Sequence, residues 1–408
     1  MSTSLPTAVA AEAARVQRIA LIVGGVALVV CIVGAFFSPP QFFRAYLTAY
    51  LFYLGIALGS FVIVMIHHLT GGAWGYVVRR TLEAGMRTLP LLAVLFIPIA
   101  CGLGYLYIWA RPEAVAEYAD LQHKRVYLND WFFWGRAILY FALWIGIAFV
   151  LDFWSHRFDQ TGDPRILRRQ SHLSGPGLIV YGISMTFAAV DWIMSLDPKF
   201  HSTIFGPLVA TGQILSAQAI ALLVLAWLGS RPPLAAVLSP EVLNDLGNLL
   251  FTYLIMWAYM VWFQFMLIWI ANLPFEVLWY RPRTEGGWLW VAWALTVLHF
   301  VIPFFLLLMR DIKQHLPTLA AVAGLLLFMQ LVHNYYLVMP SFPDTTITEH
   351  WMDFLMPLGL GSIWLAYFLW QLQRYPLLPR RDEDLAEAMH LRRVDQEEAA
   401  REEKMQHG

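Results

Sequence analysis

The chain is poor in cysteine and poor in charge. Its 408 residues include two cysteines, Cys31 and Cys101. Both lie inside apolar runs, and there is no CxxC, no CxxCH and no four-cysteine group. Iron–sulfur ligation needs several thiolates, and c-type haem attachment needs paired cysteines followed by a histidine, so the chain is expected to hold neither by itself. Charged residues make up 13% of the sequence, against roughly a quarter in soluble domains. With a formal net charge of −1 and no basic tract interleaved with aromatics, a nucleic-acid partner is excluded from the expectations. A small-residue cleavage site is also missing behind the first apolar run, IALIVGGVALVVCIVGAFF at 19–37. That run is therefore read as a retained span and not as a removable leader.

What the chain has in excess is apolar and aromatic surface: 59% hydrophobic residues, with 18 tryptophans and 27 phenylalanines. Windows of about twenty apolar residues match the bilayer thickness. They fall near 19–37, 45–66, 88–109, 131–151, 175–195, 204–228, 247–271, 287–309, 316–338 and 354–372. The expected fold class is all-α: a polytopic transmembrane helix bundle of about ten spans. Residues 1–18 are expected to be a short amphipathic lead-in, 19–372 the membrane domain, and 373–408 a charged tail. Basic residues concentrate on alternate loops, among them Arg15, Arg18, Arg79, Arg80, Arg87, Arg157, Arg165, Arg168 and Arg169, which places both termini on the cytoplasmic side. WGRAILYFALW in the fourth span and WALTVLHFVIP in the eighth share a tryptophan followed by an aromatic pair, setting Tyr140 opposite His299. This points to two related four-helix bundles flanked by a first and a tenth helix.

Polar residues inside apolar runs mark function or helix pairing. The stretch DWIMSLDPKFHSTIFG puts Asp191 in the outer third of the fifth span with no neighbour in sequence to pair it, and Asp197 and His201 in a short loop. Asp197-Pro198 starts a turn, and Ser202 or Thr203 is the expected N-cap of the sixth span. Arg136 lies one turn inside the outer end of the fourth span, where it can pair a carboxylate or bind a lipid phosphate or quinone headgroup. Asp152, His67 and His68 end spans on the inner side, His299 lies mid-span, and His333 lies in the outer half of the ninth span. A haem held between facing histidines is disfavoured by the different depths of His299 and His333. The outer loops carry Glu276, Asp344, Glu349 and Asp353 and suit a docking surface. No catalytic, metal or cofactor-ligand set is expected in the chain.

Together, YLNDWFFWGRAILYFALW, DWIMSLDPKFHSTIFG and the NLP…WY…GGW loop resemble the ActF family, NrfD-like membrane subunits of bacterial alternative complex III. The resemblance spans roughly residues 19–372. It implies a multi-pass subunit of the bacterial cytoplasmic membrane in a quinol:cytochrome c, or high-potential acceptor, oxidoreductase. Its partners would be an ActC-like sister subunit, an iron–sulfur subunit, multihaem cytochrome c subunits and small membrane subunits. Iron–sulfur clusters and c-type haems would sit in those partners, and quinol or quinone is a candidate ligand. Phe275 departs from the family pattern, in which an acidic residue precedes the position of Glu276. The chain's expected contribution is a proton path and scaffold, with Asp152, His67 and His68 near the inner mouth, His299 in the middle, and Asp191 or Glu276 toward the outer mouth. A rival reading is a secondary transporter, whose mark would be broken helices at matching repeat positions. LLAVLFIPIACGLG breaks the third span, while the seventh shows no break. A purely structural membrane anchor is the third reading.

Overall fold

A computed structural model describes residues 7–342 and 350–378. Asp344, Glu349 and the tail beyond residue 378, with Arg380 and Arg381, lie outside the described residues. Ten helices are long and apolar enough to cross a membrane, and the described residues contain no strand. They are α1 (Thr7–Ala35), α2 (Pro39–Thr70), α3 (Ala73–Cys101), α4 (Asp130–Thr161), α5 (Pro164–Trp192), α6 (Phe205–Leu228), α7 (Pro240–Ala271), α8 (Trp288–Leu308), α9 (Leu316–Val338) and α10 (Trp351–Gln373). The face on which α1 begins and α10 ends is called the terminal face below.

The described part of the expected lead-in is continuous with α1. Several helices begin earlier than the hydropathy windows, among them α2 at Pro39 and not at 45, α3 at Ala73 and not at 88, α5 at Pro164 and not at 175, and α7 at Pro240 and not at 247. Hydropathy windows stop at charges, and in α3 the fold pairs those charges, Arg79, Arg80 and Arg87 with Glu83, so the helix begins before the window. Polar caps set several starts: Asn129 accepts from the Phe132 amide, Asp163 from that of Arg165 and Ser239 from that of Val242. The sixth helix is a correction, because its N-cap position is Ile204 with no side-chain cap. The Ser202 hydroxyl instead donates to Gln264 Oε1 at 3.3 Å.

Helices α2 and α6 form the centre, with 89% and 72% of their apolar windows buried against 22% for α7 and α8. Around α2 gather α3 and α5, with α4 packed on α5; around α6 gather α7 and α9, with α8 packed on α9; α1 and α10 lie together on the flank. This is the expected arrangement of two four-helix bundles plus a flanking pair. In lipid such contacts rest on close packing and not on hydrophobic transfer. Gly59 of α2 lets α6 approach, since a Cβ there would lie 2.1 Å from the Gln213 carbonyl oxygen. Gly59→Ala should therefore lower the thermal midpoint of the solubilised protein, while Gly25→Ala, where a Cβ meets nothing within 4 Å, should not. Equal midpoints would remove Gly59 from the bundle interface.

The broken third helix is as expected: α3 splits after Met86, at Phe96 and at Gly102. Carbonyls freed at such breaks need partners within the membrane. Tyr50 and Tyr46 of α2 supply them, donating to Leu92 O at 2.9 Å and Leu95 O at 2.8 Å. The seventh helix runs unbroken from Pro240 to Ala271, so the paired break expected of a transporter is not present at the matching position. Helix α8 instead carries a π-helical turn over Leu295–Val301. It lies just before Pro303, which cannot donate back to the His299 carbonyl.

Candidate functional site

Asp191 is not alone. Helices α4 and α5 form an antiparallel hairpin closed by left-handed Gly162 (φ 67°) and the cap Asp163. Arg136 lies 26 residues before Gly162 and Asp191 28 residues after Asp163, so the two side chains meet at the end of the hairpin opposite the terminal face. Arg136 Nε donates to Asp191 Oδ2 at 2.8 Å and Nη2 to Oδ1 at 2.9 Å, a bidentate pair. Tyr140 donates to Asp191 Oδ2 at 2.8 Å, and the remaining Arg136 nitrogen, Nη1, reaches the Tyr127 carbonyl at 3.0 Å. The rings of Tyr127 and Phe132 lie 3.9 and 4.3 Å from the guanidinium carbon. Arg136 is 7% exposed and Asp191 1%, beneath a cluster that includes Phe96, Phe141, Trp144 and Trp192. With every nitrogen engaged, the Arg136 guanidinium is committed to protein partners and not open to a headgroup. Tyr127 lies outside the spans, and its phenol is held above its ordinary value by burial first and then by the Asp191 charge.

A second cluster occupies the terminal-face end of the same bundle. On α3, Arg79 Nε donates to Glu83 Oε1 at 3.1 Å and Arg80 Nη1 to Glu83 Oε2 at 2.6 Å, while Arg87 lies 3.9 Å from Glu83 Oε2. From α4, Ser155 donates to Glu83 Oε1 at 2.7 Å, Asp159 pairs with Arg80, and Asp152 lies 3.1 Å from Arg87 and 3.2 Å from His156. Three arginines thus face three carboxylates. Sequence reasoning counted these arginines only as topology markers. The signal was the i, i+3 and i, i+4 spacing of Arg79, Arg80, Glu83 and Arg87 in RRTLEAGMR, which places them on one helix face.

His67 and His68 end α2 on the terminal face. His67 Nε2 is 3.3 Å from the Gly72 carbonyl and His68 Nδ1 is 3.1 Å from Ser174 Oγ on α5. Between the two ionic clusters of this bundle, Trp144 donates to Ser184 at 2.8 Å and Tyr181 to Gln213 Oε1 at 2.7 Å.

His299 and His333 belong to the other bundle. His299 lies inside the π-turn, fully buried, with its ring 3.9 Å from that of Trp257 and neither ring nitrogen hydrogen-bonded among the described residues. His333 sits 6.3 Å from it, ring to ring, and its Nδ1 faces Trp257 Nε1 at 3.4 Å and Gln330 Nε2 at 3.3 Å. The structure therefore brings Arg136, Tyr140 and Asp191 together, and separately Trp257, His299 and His333, on opposite sides of the α2–α6 seam. His299 is not the midpoint of a single line from Asp152 to Asp191. Glu276 lies half-buried in a short helix, Pro274–Val277, on the non-terminal face, and its carboxylate is in neither group.

Sequence reasoning also missed Arg283, which is 1% exposed in the α7–α8 connection. It donates to the carbonyls of Trp279 at 2.6 Å and Leu337 at 2.8 Å and to Ser341 at 3.1 Å. Burial lowers its pKa to about 9. The carbonyl end of α9 supplies the negative potential beside it. Among the described residues no group of three or more His, Cys, Asp or Glu is arranged to hold a metal ion. No family model matches this chain, and no curated protein matches it.

Proposed function

We propose that this chain is an integral membrane subunit of a quinol-oxidising electron-transfer complex of the alternative complex III type, contributing a proton path and a scaffold beside redox subunits. One observation carries the reading. A single four-helix unit holds ionisable clusters at both membrane faces, Arg79–Glu83–Asp152 at one and Arg136–Tyr140–Asp191 at the other, with hydrogen-bonding Ser174, Tyr181 and Ser184 of α5 between them and Gln213 of the neighbouring α6 accepting from Tyr181. Ionisable groups at membrane depth are costly and mark ion or proton routes. The three sequence motifs that resemble ActF, including the ones that carry Arg136 and Asp191, add the assembly context.

The test is purification of the tagged full chain from its own membrane, followed by native mass spectrometry. Co-purifying iron–sulfur and multihaem subunits are expected, and a lone oligomer would overturn the proposal. In such an assembly, at equal subunit retention, Asp191→Asn should lower protons released per quinol oxidised, while Asp197→Asn on the loop should leave the ratio unchanged.

A further inference from the structure

We propose that the terminal-face cleft between α4 and the end of α10 binds the headgroup of an anionic phospholipid. The cleft has a volume of about 500 Å³, and its lining includes Phe149, Phe153, Asp152, His156, Arg157 and Tyr375. Its two halves differ in chemistry. Phe149 and Phe153 are 70% and 51% exposed and lie on the α4 turns nearer the membrane centre, where acyl chains run. His156 and Arg157 stand one turn closer to the terminal face, at headgroup depth. An apolar wall beneath a cationic rim fits an amphiphile rather than a soluble phosphate.

The charge at the rim is positive because the nearby carboxylates are already engaged. Asp152 is held by Arg87 at 3.1 Å and faces His156 at 3.2 Å; Asp159 is paired with Arg80; Asp163 accepts the Arg165 amide as the cap of α5. Arg157 is exposed and has no carboxylate partner among the described residues, and Arg165, Arg168 and Arg169 follow on the same face. Tyr375 closes the far wall, its ring stacked on His156 at 3.5 Å and lying 4.4 Å from the Arg87 guanidinium carbon. Arg157 is the arginine of the cleft lining. A lipid bound here would bridge α4 to the end of α10.

Native mass spectrometry of the delipidated full chain tests this with three probes: phosphatidylglycerol, phosphatidylcholine and glycerol 3-phosphate. Phosphatidylglycerol should be retained severalfold more strongly than phosphatidylcholine. Arg157→Gln should lower that retention about fivefold, the effect of one interfacial cation. Arg157 is exposed, so the variant should keep the wild-type elution profile, and Arg165→Gln, outside the cleft, should retain the lipid as wild type does. Equal retention of the two lipids, an unchanged Arg157→Gln, an equal loss in Arg165→Gln, or displacement by glycerol 3-phosphate at equal concentration would each overturn the proposal.

Discussion

Asp191→Asn is expected to lower the unfolding free energy of the solubilised chain by about 3–5 kcal/mol, the usual effect of removing one partner from a buried ion pair. Asparagine keeps the size and can still accept from Tyr140, so the loss comes from the Arg136 charge left without its carboxylate under a tryptophan and phenylalanine cluster. The double variant Arg136→Met/Asp191→Asn removes both charges and should lie closer to wild type than Asp191→Asn does. A double-mutant cycle by reversible unfolding in mixed micelles measures this coupling. Simple additivity of the two single losses would mean that the bidentate geometry contributes no coupling.

Glu83→Gln should be at least as damaging, again about 3–5 kcal/mol. Its carboxylate is 1% exposed and faces three arginines, two of them in direct hydrogen bonds. Neutralising it leaves Arg79, Arg80 and Arg87 against Asp152 and Asp159 alone. Asp159→Asn should cost less, because Arg80 keeps Glu83. As a contrast, Arg281→Gln breaks an i, i+4 pair with Glu285 whose side chains are 71% and 64% exposed. Solvent screens such a pair, and the midpoint should barely move. Thermal shift and the monodisperse fraction on size exclusion, measured for all three variants, give the ranking. A Glu83→Gln variant as stable as Arg281→Gln would show that the arginines find other partners or water.

The split of the candidate residues between two bundles changes how a proton path can be drawn. Asp191 shares its bundle with Trp144 and Ser184, which are hydrogen-bonded to each other. His299 and His333 are walled off with Trp257 in the other. Hydropathy gives depth along the membrane normal but no position in the membrane plane. Residues at graded depth therefore read as one line although they belong to two.

The sequence by itself determined the solvent and the class: long apolar runs at bilayer length, few charges and few cysteines leave a ten-helix membrane bundle as the reading. It also marked the break in α3, through Pro98 and Gly102, whereas the division into two bundles with a flanking pair is seen in the helix contacts. Only the tertiary structure decided the partners. Arg136 and Asp191 are 55 residues apart, and each alone is compatible with lipid, proton or pairing. The short turn at Gly162–Asp163 settles the matter by equalising the two arms of the hairpin. Glu83 and its arginines looked like loop charges because hydropathy sums over a window. A cluster whose charges neutralise one another is buried by its pairwise geometry, which no windowed sum can register.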